Sequence, residues 1–231
     1  GYKAYRKQVV AQLESLPAQL DFTVICGATG SGKSRILQTL ASQGQQVLDL
    51  EALACHKGSV LGVLPDTPQP SQKRFESLLL LALKSFDPAR PIYVEAESRK
   101  IGQIFLPTVL LERIRRGTCV EIAAAFEARV AFLLGDYDYF LTAPDRLNSR
   151  LDTLNTSHSR ETLTRWKQLA TDMRWHELVK ELLQQHYDPL YQRSQGSHFT
   201  GLEAPSRFTT DDLSPAGIQA LARQIASVES K

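Results

Sequence analysis

The stretch "GATGSGKS", residues 27–34, constrains this chain more than any other. Gly27, Gly32, Lys33 and Ser34 fit the spacing G-x-x-x-x-G-K-[ST]. An apolar, β-rich run, "DFTVICG" (21–27), precedes the loop, and "KSRILQTLASQG" (33–44) follows with helical spacing and a Gly44 stop. A strand that turns through glycines into a helix N-terminus aims several backbone N–H groups, and the positive end of the helix dipole, at one anion. The loop Gly27, Ala28, Thr29, Gly30, Ser31, Gly32, Lys33 and Ser34 is therefore read as a phosphate cradle. Lys33 supplies a mobile cation, and Ser34 supplies a hydroxyl for Mg²⁺. The motif names a polyphosphate and is silent on what else is bound.

The rest of the chain predicts the surroundings of that loop. "QQVLDLE" (45–51), "RPIYVEAES" (90–98) and "TCVEIAA" (118–124) read as further strands. "SQKRFESLLLLALKSF" (71–86), with Ser71 as N-cap, and "LPTVLLERIRRG" (106–117) read as helices between them. Alternating strands and helices predict an α/β fold, a P-loop NTPase-like parallel sheet flanked by helices. Residues 1–20 are expected to form an N-terminal linker helix and 21–125 the core. Residues 126–190, helical and more polar, are expected to form a cap that ends where Pro189 in "HYDPLY" stops a helix. Residues 191–231 are expected to complete the core with a strand in "SRFTTDD" and a helix opened by Ser214 and Pro215. Trp166, Trp175, Tyr137, Tyr139 and Phe140 are read as core or cap packing.

Acids end two of the expected strands, at Asp49 and Glu51 and at Glu95 and Glu97. The carboxyl edge of a parallel sheet is its ligand-binding edge, so these four, with Lys33, are the candidate catalytic or metal-facing groups. "ACHKGSVLG" (54–62) adds His56, Lys57 and Ser59 near the same edge. Gln72, Lys73 and Arg74 open a helix. Arg99 and Lys100, with Arg113, Arg115 and Arg116, are a candidate basic face for an RNA backbone. The net charge of +2 neither demands nor excludes nucleic acid. No apolar run approaches the roughly 18 residues of a membrane span, and no charged-then-apolar leader opens the chain, so a cytoplasmic location without a membrane partner is expected. Cys26, Cys55 and Cys119 are too few and scattered for a disulfide framework or a zinc site, and Cys26 and Cys119 are expected to be buried. The first residue is Gly, as in a processed product or an excised domain.

Several stretches taken together resemble the tRNA 2-selenouridine synthase family: "GYKAYR", "GATGSGKS", "VLDLEALACHKGS", "QPSQKRFESLL", "VEAESRKIG" and "HYDPLY". The loop is generic; the combination of the others is specific. The resemblance covers about residues 1–195, and it departs at Ala96, where family members often carry Asp. It implies a rhodanese-like domain with a reactive Cys as a partner in the full-length enzyme, absent from this stretch. It also implies tRNA as substrate, geranyl diphosphate as the donor that alkylates a wobble 2-thiouridine, and selenophosphate as the selenium source. On that view the cradle grips geranyl diphosphate with Mg²⁺, and Phe126, Phe132, Leu133, Tyr139 and Phe140 supply a pocket for the chain. Selenation then needs the missing domain. ATP fits the same motif equally, which leaves open an ATP-dependent small-molecule or nucleoside kinase, or a non-catalytic tRNA-binding module.

Overall fold

The computed structural model describes residues 1–195 and 205–228; parts of the expected C-terminal segment, 196–204 and 229–231, lie outside the described residues. In chain order the elements are α1 (Tyr2–Ser15), β1 (Phe22–Cys26), α2 (Lys33–Ser42), β2 (Gln46–Leu48), α3 (Leu50–Ala54), α4 (Gln72–Ser85) and β3 (Ile92–Glu95). A short hairpin follows, β4 (Lys100–Ile101) and β5 (Ile104–Phe105), then α5 (Thr108–Arg115) and β6 (Thr118–Ala124). Next come α6 (Phe126–Asp136), α7 (Asp138–Leu141), α8 (Pro144–Leu151), α9 (Arg160–Thr171), α10 (Trp175–Leu182), a π-helical turn (Leu183–Tyr187) and α11 (Asp188–Gln195). Beyond the undescribed stretch lie β7 (Ser206–Thr210) and α12 (Pro215–Val228).

The main sheet has five strands in the order β2-β3-β1-β6-β7, every neighbouring pair parallel. All five residues of β1 are buried, as a central parallel strand covered on both faces requires. One face carries Phe22, Val24, Leu48, Ile92 and Val94 against α1, α4 and α5, through residues such as Leu13, Leu79 and Leu110. The other carries Ile25, Tyr93 and Ile122 against α2 and α12, through Leu37, Leu40, Ala222 and Ile225. Cys26 and Cys119 are both buried in the first of these layers. Helix α1 is thus not a free-standing linker. Val9 and Leu13 are buried, and Arg6 pairs with Glu76 of α4.

Three local expectations are corrected. The second strand stops at Leu48, because the Asp49 side chain accepts the backbone N–H of Ala52 at 2.8 Å and so caps α3. The hairpin β4–β5 was not expected. It turns at Gly102 (φ +59°) and is held from outside by side-chain amides: Gln69 donates to Ile101 O, and Gln72 bonds both backbone groups of Phe105. Pro189 does not stop a helix. It sits at the second position of α11, just after the π-helical turn, where the regular i→i−4 ladder is already interrupted and its missing N–H costs little.

The cap has its own core, in which Trp166 is fully buried among Leu151, Leu154, Leu169, Leu178 and Leu182, and its indole N–H donates to Glu181 at 3.1 Å. Removing so large a buried side chain leaves a cavity, while Glu181 keeps its pairing with Arg165. Trp166→Ala is expected to destabilise the cap by about 3–5 kcal/mol. In urea titrations, a cap that unfolds first shows a split transition, whereas an unchanged midpoint shows that this cluster does not hold it.

Candidate functional site: a phosphate cradle beside a carboxylate triad

All the main-sheet strands point the same way, so the segments after β1, β2 and β3 meet at one edge. Gly27 (φ +154°) opens the loop where a Cβ would lie 2.6 Å from Ser31 Oγ and 2.8 Å from Ile122 O, so the backbone passes only as glycine. The loop ends at Gly32, in the left-handed region, as N-cap of α2. Lys33 turns back on its own loop: Nζ donates to Gly27 O at 2.9 Å and lies 3.4 Å from Glu95 Oε1.

Ser34 Oγ lies 2.9 Å from both Glu51 Oε2 and Glu95 Oε2. A hydroxyl has one proton, so two close carboxylates are both satisfied only if one of them is itself protonated. Carboxylate oxygens of Glu51, Glu95 and Glu97 all lie within 4.8 Å of one another. Burial, and then the charge of Glu95, pushes Glu51 up to about 8, and the same two causes, in the same order, push Glu97 well above the ordinary carboxylate range. Gly58 (φ +66°) makes room: a Cβ there would stand 2.7 Å from Glu51 Oε1 and 3.0 Å from Glu97 Oε1. Three carboxylates against the single ammonium of Lys33 form a site short of positive charge, and a hard divalent cation with oxygen ligands fits that donor set.

The loop and the triad floor a cleft of about 850 Å³, walled on the cap side by Phe132, Leu133, Tyr137, Leu154 and Tyr187. Behind Leu133 and Tyr137 lies a smaller apolar cavity of about 70 Å³, reaching Phe140 and Trp175. Of the aromatic and aliphatic residues expected to form an apolar pocket, Phe132, Leu133 and Phe140 line one or other space; Phe126 and Tyr139 line neither.

His56, Lys57 and Ser59 also reach the cleft. His56 is buried, its Nδ1 has no hydrogen-bond partner, and burial and then Arg150 hold its pKa below the usual value. Lys57 lies 2.7 Å from Asp136 Oδ2 and 4.4 Å from the Tyr137 ring centroid; Asp136 also takes Arg35 of α2 at 3.2 Å. Asp49 borders the cleft, but its side chain is engaged as the cap of α3.

The remaining candidates are not brought to the cradle. Gln72 clamps the hairpin, the Lys73 carbonyl accepts from Arg6, and the Arg74 N–H bonds to the Ser71 cap. Arg99 and Lys100 are exposed at the hairpin. Arg113 pairs with Asp21 and donates to Leu20 O at the entry of β1, the opposite edge of the sheet, and Arg115 and Arg116 end the same helix. Helix α5 runs eight residues, about 12 Å, and carries Arg113 toward the edge where β1 begins, while Arg99 and Lys100 lie at the hairpin.

Arg129 and Asp188 were missed by sequence reasoning. Arg129 is buried on α6. Its Nε donates to Thr29 O of the cradle at 2.8 Å, while its other two nitrogens fork onto Asp188 at 2.5 and 3.2 Å. The acid of "HYDPLY" thereby ties the cap to the phosphate loop.

With known proteins, the description "tRNA 2-selenouridine synthase AAA domain" matches residues 20–144. The chain is 34% identical over 219 residues to the tRNA 2-selenouridine synthase of Marinobacter nauticus, covering 83% of this chain and 58% of the relative. It is 33% identical over 219 residues to that of Alcanivorax borkumensis, covering 83% and 59%, and 30% over 252 residues to that of Bdellovibrio bacteriovorus, covering 91% and 65%. The chain thus spans about three-fifths the length of the curated relatives it matches. Among solved structures, shikimate kinase from Acinetobacter baumannii in complex with shikimate matches 96% of each chain at 16% identity and a TM-score of 0.41.

Two outcomes follow from the geometry. Glu51 keeps its proton to about 8 when folded, against about 4.3 unfolded. Between those values the folded state binds more protons, so this stabilisation is full at low pH and is lost as pH rises through about 8. Denaturant titrations of metal-free Glu51→Gln should show a flatter pH dependence and higher stability above about pH 8 than the parent; parallel curves would place the proton elsewhere. Asp188→Ala strands a buried guanidinium and should cost about 2–4 kcal/mol, allowing for the partial exposure of Asp188. A loss under about 0.5 kcal/mol would mean that the Asp188 fork contributes no more than a solvated surface pair.

Proposed function

This chain belongs to the tRNA 2-selenouridine synthase family, and from that premise we propose that its cradle binds an allylic diphosphate, geranyl diphosphate, for transfer of the geranyl group to the sulfur of a wobble 2-thiouridine in tRNA. The observation that carries the reading is one cleft with two unlike walls: a phosphate loop beside a carboxylate triad on one side, and Phe132, Leu133, Leu154 and Tyr187 on the other. A diphosphate ester of an apolar alcohol needs both.

In this reading Lys33 releases Gly27 O and Glu95 and turns to the diphosphate, joining the backbone donors of residues 27–34. Ser34, Glu51, Glu95 and Glu97 would hold Mg²⁺, and that ion would supply positive charge beside the diphosphate. The loop donors, fixed before the C–O bond breaks, stabilise the leaving group where its charge appears. The apolar wall shields the allylic carbon from water. Asp136 holds Lys57 against the rim aromatics and keeps that cation off the triad.

Selenium transfer is assigned to the part of the longer relatives that this chain does not span. Cys26 and Cys119 are buried and Cys55 is half-buried, so none offers the exposed thiolate that a covalent sulfur or selenium carrier needs.

Calorimetric titration of the chain with geranyl diphosphate, ATP and GTP in Mg²⁺ should rank geranyl diphosphate first. Lys33→Ala should weaken it at least about tenfold, since a charge-assisted contact is worth about 1.5–3 kcal/mol. Nucleoside analysis of thiolated tRNA should then show the geranylated product, and no 2-selenouridine when selenophosphate is added. Tighter ATP binding with phosphoryl transfer in the absence of tRNA would establish the kinase reading instead. Binding of tRNA with its thiouridine left unchanged would establish a binding module.

A further inference from the structure

Two histidines outside the cradle face one another across the cap. His186 lies in the π-helical turn and is 8% exposed; His158 lies in the turn before α9 and is half-buried. His158 Nε2 and His186 Nδ1 are 2.9 Å apart, so one proton is shared between the rings. His158 is steadied by the edge of Trp166, 4.8 Å between ring centroids, and His186 by the edge of Tyr187, at the same separation. His186 lines the cleft that holds the cradle, and the ring nitrogen its bond to His158 leaves over is Nε2. π-Helical turns of this kind recur at functional sites, because one inserted residue re-aims the side chains around it.

We propose that His186 is the general base of the group transfer in this cleft, with His158 carrying the proton onward to solvent. The inference rests on the reading of the cleft as a site where a thiocarbonyl nucleobase is alkylated by an allylic diphosphate. In that step a bond forms between sulfur and the allylic carbon, and the carbon–oxygen bond breaks, its electron pair leaving on the diphosphate. The alkylated base stays cationic until the proton on the ring nitrogen beside the thiocarbonyl departs. His186 Nε2 takes that proton, its own Nδ1 proton passes to His158 Nε2, and His158 gives up its Nδ1 proton to water. Charge then leaves the cleft in both directions, the anion as diphosphate and the proton through the histidine pair.

The electrostatics suit the role. Burial, and then His158, holds His186 below the usual histidine value, and burial alone does so for His158, so both rings are neutral and able to accept at neutral pH. From its own turn His186 faces Tyr187, whose hydroxyl burial pushes up to about 12; from the turn before α9 it faces His158. The causes that set its protonation are burial and then His158, which separates this pair from the Glu51–Glu95–Glu97 cluster.

The test compares the parent chain, His186→Asn and His158→Gln. His186→Asn keeps an amide donor toward His158 and removes Nε2; His158→Gln keeps a polar atom where Nε2 stood and breaks the exit. Single-turnover geranylation of thiolated tRNA is measured between about pH 5.5 and 8, alongside calorimetric binding of inorganic diphosphate in Mg²⁺. In the parent the rate should climb with pH along a limb centred below about 6.5 and then level. His186→Asn should lose that limb and about 100-fold or more in rate, keep its diphosphate affinity, and recover part of the rate with added imidazole. His158→Gln should move the limb and slow turnover less. An unchanged limb and rate in His186→Asn overturns the relay while leaving the diphosphate reading intact, and so does a rate loss matched by an equal loss of diphosphate affinity. A parent chain that binds diphosphate but makes no product overturns the transfer reading and the relay with it. Imidazole ¹⁵N shifts of the parent give a readout independent of turnover: the relay requires His186 protonated on Nδ1 and His158 on Nδ1 at neutral pH, and the opposite tautomers overturn it.

Discussion

The structure turns on the excess of negative charge gathered around one hydroxyl. Ser34 meets Glu51 and Glu95 at equal distance, Glu97 stands within 4.8 Å of both, and the Lys33 ammonium beside them is partly spent on Gly27 O. Such a cluster is costly. Burial, and then the charge of Glu95, pushes Glu51 up to about 8, so it holds its proton, and Lys33 is drawn inward. In the proposed reading Glu51, Glu95 and Glu97 would hold a divalent cation that supplies the missing positive charge, and Lys33 would be free to reach the phosphate. The glycines serve this exchange as much as the anion, since the missing side chain at Gly58 is what lets Glu51 and Glu97 approach.

The cap is tied into this arrangement by Arg129. A guanidinium that bonds the Thr29 carbonyl and forks onto Asp188 fixes the loop's first half against the helix carrying His186 and Tyr187. The loop and the far wall of the cleft therefore keep a set separation, which a transfer between a donor on the loop and an acceptor on the wall requires. Asp136 does the same at the other rim, bridging Arg35 of α2 to Lys57 beyond α3.

What was legible in the sequence follows from how local its cause is. The loop, the strand before it and the helix after it were readable because spacing and hydrophobic period agree over about twenty consecutive residues. The acids at the ends of the second and third strands were readable because parallel topology delivers strand ends to one edge. Their separate duties were not: Asp49 caps a helix and Glu51, two residues on, faces Ser34, a division that depends on where the strand stops. The Arg129–Asp188 fork joins residues 59 apart, with no pattern in either neighbourhood. The hairpin at 100–105 is held by Gln69 and Gln72, more than thirty residues earlier, so its own sequence carries little strand signal. The placement of the basic residues was not legible because charge runs say nothing of direction, and α5 carries Arg113 back to the edge where β1 begins.

The same reasoning bears on why a loop common to many phosphate-binding proteins serves this cleft. Phosphoryl transfer keeps the reacting phosphorus on the loop, and an acceptor must be brought to it. When the diphosphate is a leaving group, the reacting atom is a carbon one bond away, and the loop has only to stabilise the charge that departs. On the proposed reading specificity then falls to the opposite wall, which would accept an apolar chain, present the nucleophile and remove a proton. In this chain that wall is the cap: Leu133 and Tyr137 stand between the cleft and the apolar cavity, Asp188 locks the cap to the loop, and the buried His186 lies next to Tyr187 within reach of solvent through His158. On the proposed reading a parallel-sheet core with a phosphate loop takes its chemistry from what is packed against it, while the cradle itself stays as its sequence dictates.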